Sequence, residues 1–212
     1  MASSPERLAY WYLRLNGFLT IENFVVHPDT GANQRTDVDL LAVRFRHRAE
    51  NLMEHMVDDL ECCLCDAYAN VVIAEVKRGV CALNGPWTRK DDGNIHRVLA
   101  AIGCLDQDKI AAAADALYEE GAYRGEIVQL RLMAFGNQEG KLPIPATQIL
   151  FDHMIQFIWE RFKAYDRQKR AIGNWADDGQ ALRRIFDENR RTQARFANAV
   201  RQCFGLPEAV EQ

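Results

Sequence analysis

Asp37-Val38-Asp39-Leu40-Leu41-Ala42-Val43 and Val71-Val72-Ile73-Ala74-Glu75-Val76-Lys77 are two apolar, β-branched runs interrupted by charge. Their composition is that of strands, and the second run is apolar on both faces until its end, as expected of a central strand. Side chains alternate along a strand, so Asp37 and Asp39 share a face with Leu41, Val43 and Phe45, while Glu75 shares a face with Lys77. Burying carboxylates in such runs is costly unless something neutralises them. A divalent cation held by both Asp39 and Glu75 meets that need directly.

Working outward, Ser4-Pro5 provides a capping hydroxyl and a proline for a helix that Asn16-Gly17 stops, with Glu6 in its first turn. Phe18 to Val26 reads as the first strand, about Asp37 to Arg46 as the second and about Asn70 to Arg78 as the third. The connection from His47 to Ala69 is long, and Leu52, Met56 and Leu60 have helical spacing, which predicts a helix inserted in a hairpin. Helices follow at about Asn94 to Ile102 and Gln107 to Glu120, each stopped by glycine, and a fourth strand at Ile127 to Phe135. After a stretch broken by Pro143 and Pro145, Phe151, Met154, Ile155, Ile158, Phe162 and Tyr165 form the apolar stripe of one helix. A last helix is expected from about Gln180 to Phe204. No repeat or low-complexity tract interrupts this order.

The 212 residues suffice for a domain with an extension, and the fractions of apolar (48%) and charged (26%) residues exclude a disordered chain. No apolar run approaches the roughly 20 residues needed to cross a bilayer, and the N-terminus lacks the basic and apolar regions of a signal peptide. A cytoplasmic protein without a membrane partner is the expectation. Six cysteines, three crowded at Cys62, Cys63 and Cys65, do not make a spaced disulfide framework; the trio reads either as ordinary thiols or as zinc ligands. A net charge of -4 argues against diffuse nucleic-acid binding, although charge can be segregated by face.

An acid on the second strand, Glu-x-Lys on the third, and a leading helix and strand resemble the PD-(D/E)XK, or restriction-endonuclease-like, nuclease superfamily. Thr36-Asp37-Val38-Asp39-Leu40-Leu41-Ala42 with Ala74-Glu75-Val76-Lys77 is most similar to the Holliday-junction-resolvase and YraN-like branch, over about Pro5 to Gly136. The resemblance implies an α/β fold with an αβββαβ core, a mixed central sheet flanked by helices, and a C-terminal helical extension. The core would occupy residues 1–140, with the insertion at about 47–69, and the extension residues 141–212. The long insertion departs from the compact hairpin of that branch, and no motif is assigned beyond Gly136.

The implied activity is metal-dependent hydrolysis of DNA by an endonuclease, with the choice between DNA and RNA left open by the sequence. Hard carboxylate oxygens suit Mg²⁺ or Mn²⁺, which acidifies water and counters charge on the scissile phosphate. Asp39 and Glu75 would be ligands; the resemblance adds Glu6 and Val76 to the metal site, with Asp37 behind them. Lys77 has no acceptor and would instead orient the nucleophile and stabilise developing charge. The alternatives are a structural ion-pair network in a module that binds nucleic acid or protein without cutting, a Glu6 that merely favours a helix start, and an Asp37 that merely caps the strand entrance.

Candidate nucleic-acid contacts are Trp87, Arg89 and Lys90 just beyond the third strand, Arg161, Lys163, Arg167, Lys169 and Arg170, and Arg183, Arg184, Arg190, Arg191 and Arg195. The bland reading of the arginines is a solvated helix face balanced by Asp187 and Glu188. The stripe from Phe151 to Tyr165 is core, a homodimer interface or a docking face for another subunit.

Overall fold

The fold, taken from a computed structural model, is described for residues 3–30, 35–50, 56–62 and 68–209. The leading helix α1 (Pro5–Leu15) is capped by Ser4, whose hydroxyl accepts from the Arg7 N–H at 3.4 Å. Then come β1 (Leu19–Val26), β2 (Thr36–Arg44) and β3 (Ala69–Val76), followed by α2 (Gly85–Thr88), α3 (Asn94–Ile102), α4 (Ile110–Glu120), β4 (Ala122–Arg124) and β5 (Val128–Gly136). The chain closes with β6 (Thr147–Leu150), α5 (Phe151–Ala164), α6 (Asp177–Asn189) and α7 (Gln193–Cys203).

The protein is α/β, with a mixed sheet in the order β1-β2-β3-β5-β4. β1, β2 and β3 are antiparallel neighbours, β3 and β5 run parallel, and β5 carries β4 along one half of its outer edge and β6 along the other. Two cores cover its faces. On one, Leu40, Ala42, Val72, Ala74 and Phe135 pack beneath α1, α5, α6 and α7; on the other, Leu41, Val71, Ile73, Leu130 and Leu132 pack beneath α3 and α4. Every residue of β5 is buried, and every residue of β3 after Ala69, which is why both strands are mainly apolar, with Asn70 and Glu75 of β3 and Gln129 and Arg131 of β5 as the buried polar exceptions. Among the described residues no helix is long and apolar enough to cross a membrane.

Three expectations change. The single last helix is two, because a break after Asn189 lets Phe186 and Phe196 both turn toward Trp159, at 5.1 and 5.2 Å between ring centroids; ten residues of continuous helix would have set them about 15 Å apart along one axis. β4 and β6 are too short to carry a readable alternation. The helix expected in the 47–69 connection is absent from its described part: residues 56–59 are irregular and Leu60 to Cys62 form a turn. Leu52, His55, Cys63 and Cys65 lie outside the described residues.

Paired acids hold that turn in place. Asp58 accepts from Arg44 (2.6 Å), Arg48 (3.1 Å) and Arg161 (2.9 Å). Asp59 accepts from Tyr12 Oη (2.7 Å) and meets His153 Nε2 at 2.6 Å, and its own N–H donates to Asn16 Oδ1 (2.8 Å). The hydrogen bond to Asp59 raises the His153 pKa against the effect of burial; for Asp59, burial is outweighed by His153 and Tyr12, and its pKa falls. The raised histidine contributes stability that is complete below about pH 6.5 and is lost as pH climbs through its folded pKa. The lowered aspartate contributes above about pH 4, and that share disappears as pH drops through its folded pKa. His153→Gln is expected to flatten the alkaline side of the stability profile measured by urea unfolding across pH.

Candidate active site

The β2–β3 ladder ends at the Leu40–Ala74 pair, while β3 stays beside β5 through Val76–Phe135 and the Lys77 N–H to Phe135 carbonyl bond (2.8 Å). The Val76 N–H therefore needs a partner from elsewhere. Asp39 supplies it: its Oδ2 accepts from that N–H at 2.8 Å, so the carboxylate stands in the notch where the two strands separate. Opposite Asp39 on β1, Asn23 has φ of 51°, a left-handed conformation that costs a residue with a side chain of order 1 kcal/mol. Here the alternation of β2 shifts, since Val38 joins the same core as Leu41.

Glu75 is 2% exposed. Its Oε2 accepts from Lys77 Nζ at 2.6 Å, and its Oε1 accepts from the Trp87 indole N–H. The pKa of Glu75 is raised by burial and by the charge of Asp39, against the opposing pull of Lys77 and Trp87. That of Asp39 is raised by burial, with the Val76 N–H and Lys77 opposing and Glu6 and Asp37 adding repulsion. A buried carboxylate, Glu75, and a half-buried one, Asp39, are thus both biased toward protonation, and the Lys77 ammonium opposes the bias at each.

The structure brings together Asp39, Glu75 and Lys77 and places Glu6 and Asp37 close enough for their charge to reach Asp39. Glu6 also lies in the first turn of α1, where a negative charge suits the helix dipole. Val76 contributes a main chain whose side chain is buried in the core, so only its carbonyl is available as a donor. These hard oxygens and the local excess of negative charge fit a divalent cation. Among the described residues no ready group of three or more His, Cys, Asp or Glu side chains is arranged around one point. Two carboxylates and the Val76 carbonyl are accordingly the donors that would hold Mg²⁺ or Mn²⁺, which keeps several waters of its own.

Trp87 is the site residue whose role the sequence conceals. Fully buried, it presents no face for stacking on a base, contrary to its expected use as a contact, and it serves instead as a donor to Glu75. Its signal was a tryptophan set by Gly85-Pro86 at the start of a one-turn helix, a short distance beyond Glu-x-Lys. Trp87→Phe keeps a ring in the core and removes the indole hydrogen bond that lowers the Glu75 pKa. A carbon-detected NMR titration of the Glu75 carboxyl is expected to show a still higher pKa in this variant, and an unmoved value would refute the positioning role.

The expected nucleic-acid contacts divide. Arg89 and Lys90 are exposed, but Arg89 bonds Asp92 (2.8 Å) and Lys90 bridges Asp115 (3.0 Å) and Glu119 (3.5 Å). Arg183 is not on a solvent face: it is buried against Phe162 and Phe186 and paired with Asp166 and Asp187. Arg161 and Lys169 are likewise buried in ion pairs, with Asp58 and Glu50. Arg184, Arg191 and Arg195 are exposed and form no ion pair among the described residues. Comparison with protein-family models, curated proteins and solved structures returns no match to the chain.

Proposed function

We propose that the chain is a metal-dependent endonuclease of the PD-(D/E)XK, restriction-endonuclease-like type, hydrolysing DNA phosphodiester bonds. The observation that carries the reading is the notch: Asp39 inserted beside Val76, Glu75 across from it, and Lys77 on the Glu75 carboxylate. The succession of α1, β1, β2, β3, helices and β5, with β5 parallel to β3, supports the αβββαβ core. Asp39, Glu75 and the Val76 carbonyl would hold Mg²⁺ or Mn²⁺, which would supply positive charge at the scissile phosphate and acidify water. Asp39 and Glu75, ionised together, are the residues that hold that charge in place. Lys77 exchanges its bond to Glu75 for the phosphate or the attacking water, orienting the nucleophile and meeting the charge that grows in the transition state. Trp87 keeps Glu75 in its rotamer during that exchange.

A second reading, a nuclease-fold module that binds nucleic acid or protein without cutting, has its own observation. Both Glu75 oxygens and one Asp39 oxygen are already hydrogen-bonded, and the exposed cations Arg89 and Lys90 beyond β3 face carboxylates. The two readings separate when purified protein is incubated with branched, single-stranded and duplex DNA, and with RNA, in Mg²⁺ or Mn²⁺. Cation-dependent cleavage lost in Asp39→Asn and Lys77→Ala supports the nuclease. Cleavage that persists undiminished in both variants, or no cleavage together with no calorimetric uptake of either cation, overturns it.

A further inference from the structure

Val57-Asp58-Asp59-Leu60 is folded with its acids inward and its aliphatic residues outward. The carboxylate side chains of Asp58 and Asp59 are 10% and 9% exposed, whereas Val57 and Leu60 are 75% and 77% exposed. The segment is built this way rather than left slack. Val57 donates its N–H to Tyr165 Oη at 3.1 Å and its carbonyl accepts from Arg161 Nη2 at 2.7 Å, so both its main-chain groups are tied to α5. Single exposed aliphatic residues need no explanation. A pair held outward by ion-paired neighbours is different when it borders an open groove of about 510 Å³ walled by Phe157, Ala164 and Tyr165.

The charges on α5 indicate what fills that groove. Glu160 and Lys163 are both exposed, and neither forms an ion pair among the described residues; Glu160 accepts only a neutral hydrogen bond from Gln156 at 2.9 Å. Gln156, Glu160, Lys163 and Arg167 follow one another at spacings of four, three and four, which on a helix is one stripe, with Arg167 just past the helix end. The stripe begins with an amide and an acid and ends with two bases. Turned end over end by a two-fold axis, it matches itself: Glu160 meets the second copy's Lys163, and Gln156 meets the second copy's Arg167. Val57 and Leu60 of each copy then enter the groove of the other. Glu61, exposed beside Leu60, together with Glu160 disfavours an acidic ligand such as a nucleic acid here.

We propose that this groove and the exposed stripe of α5 form a two-fold interface between two copies of the chain. The interface is independent of the nuclease reading. Sedimentation velocity from about 1 to 100 µM reads it directly, the range that separates micromolar from millimolar association. The wild-type chain is expected to dimerise within that range. Glu160→Lys and Lys163→Glu singly should each weaken association about tenfold or more, and combined in one chain they should restore it, because the swapped pair is again opposite in sign. Leu60→Ser, at an exposed position outside both cores, should weaken it without lowering the unfolding midpoint. A wild-type chain that stays monomeric throughout overturns the proposal, as does a dimer indifferent to these substitutions or one that the charge swap fails to rescue.

Discussion

Lys77→Ala is expected to reduce the single-turnover cleavage rate by about 10²- to 10³-fold, the usual consequence of deleting one positioned donor from a site where charge develops. The loss has two sources that pH separates. Among the described residues Lys77 supplies the one ammonium bonded to Glu75, at 2.6 Å, and it holds the Glu75 pKa down against burial and the charge of Asp39. Without it Glu75 binds its proton more tightly, so the residual rate should rise toward more alkaline pH than in the wild type. Asp39→Asn provides the companion measurement. Its amide oxygen can still accept the Val76 N–H, so the notch should survive, while the charge is gone. Loss of rate with unaltered urea stability assigns Asp39 to chemistry; equal loss of both would assign it to the architecture.

Asp58→Ala should lower stability by about 3 to 5 kcal/mol, because it takes the carboxylate away from the buried Arg161 guanidinium rather than removing an exposed pair. The side chains of Arg44 and Arg161 are 2% and 1% exposed, and both donate to Asp58, as does Arg48. Urea unfolding gives the number. Asp58→Asn, which retains an acceptor and loses the charge, should fall between the wild type and Asp58→Ala. The contrast is Arg89→Ala, whose exposed pair with Asp92 should be worth less than about 1 kcal/mol. A loss below that level in Asp58→Ala would mean that water reaches these guanidinium groups and that the segment at 56–62 is not anchored through them.

The notch was legible because it rests on alternation in two apolar runs, where a carboxylate stands out against β-branched neighbours. The first helix was legible from Ser4-Pro5 and Asn16-Gly17, which specify its cap and its stop through local chemistry. Where the reading fell short, the cause was tertiary. The break between α6 and α7 exists so that Phe186 and Phe196 can share Trp159, a contact that no local spacing announces. Arg183 looked like a phosphate ligand because helical charge patterns do not reveal which arginine lies under aromatic rings. The indole bond to Glu75 depends on how a one-turn helix returns over the end of β3, which lies beyond any sequence window.

The leading helix is roofed by the trailing ones. Trp11 lies 4.8 Å from Trp175, and Leu8, Leu13 and Leu15 share a core with α5 and α7. A ribosome releases α1 long before it releases its cover. Throughout that interval the nascent polypeptide carries an amphipathic segment whose apolar face has no partner, and this layer of the molecule can consolidate only once α5, α6 and α7 have been synthesised.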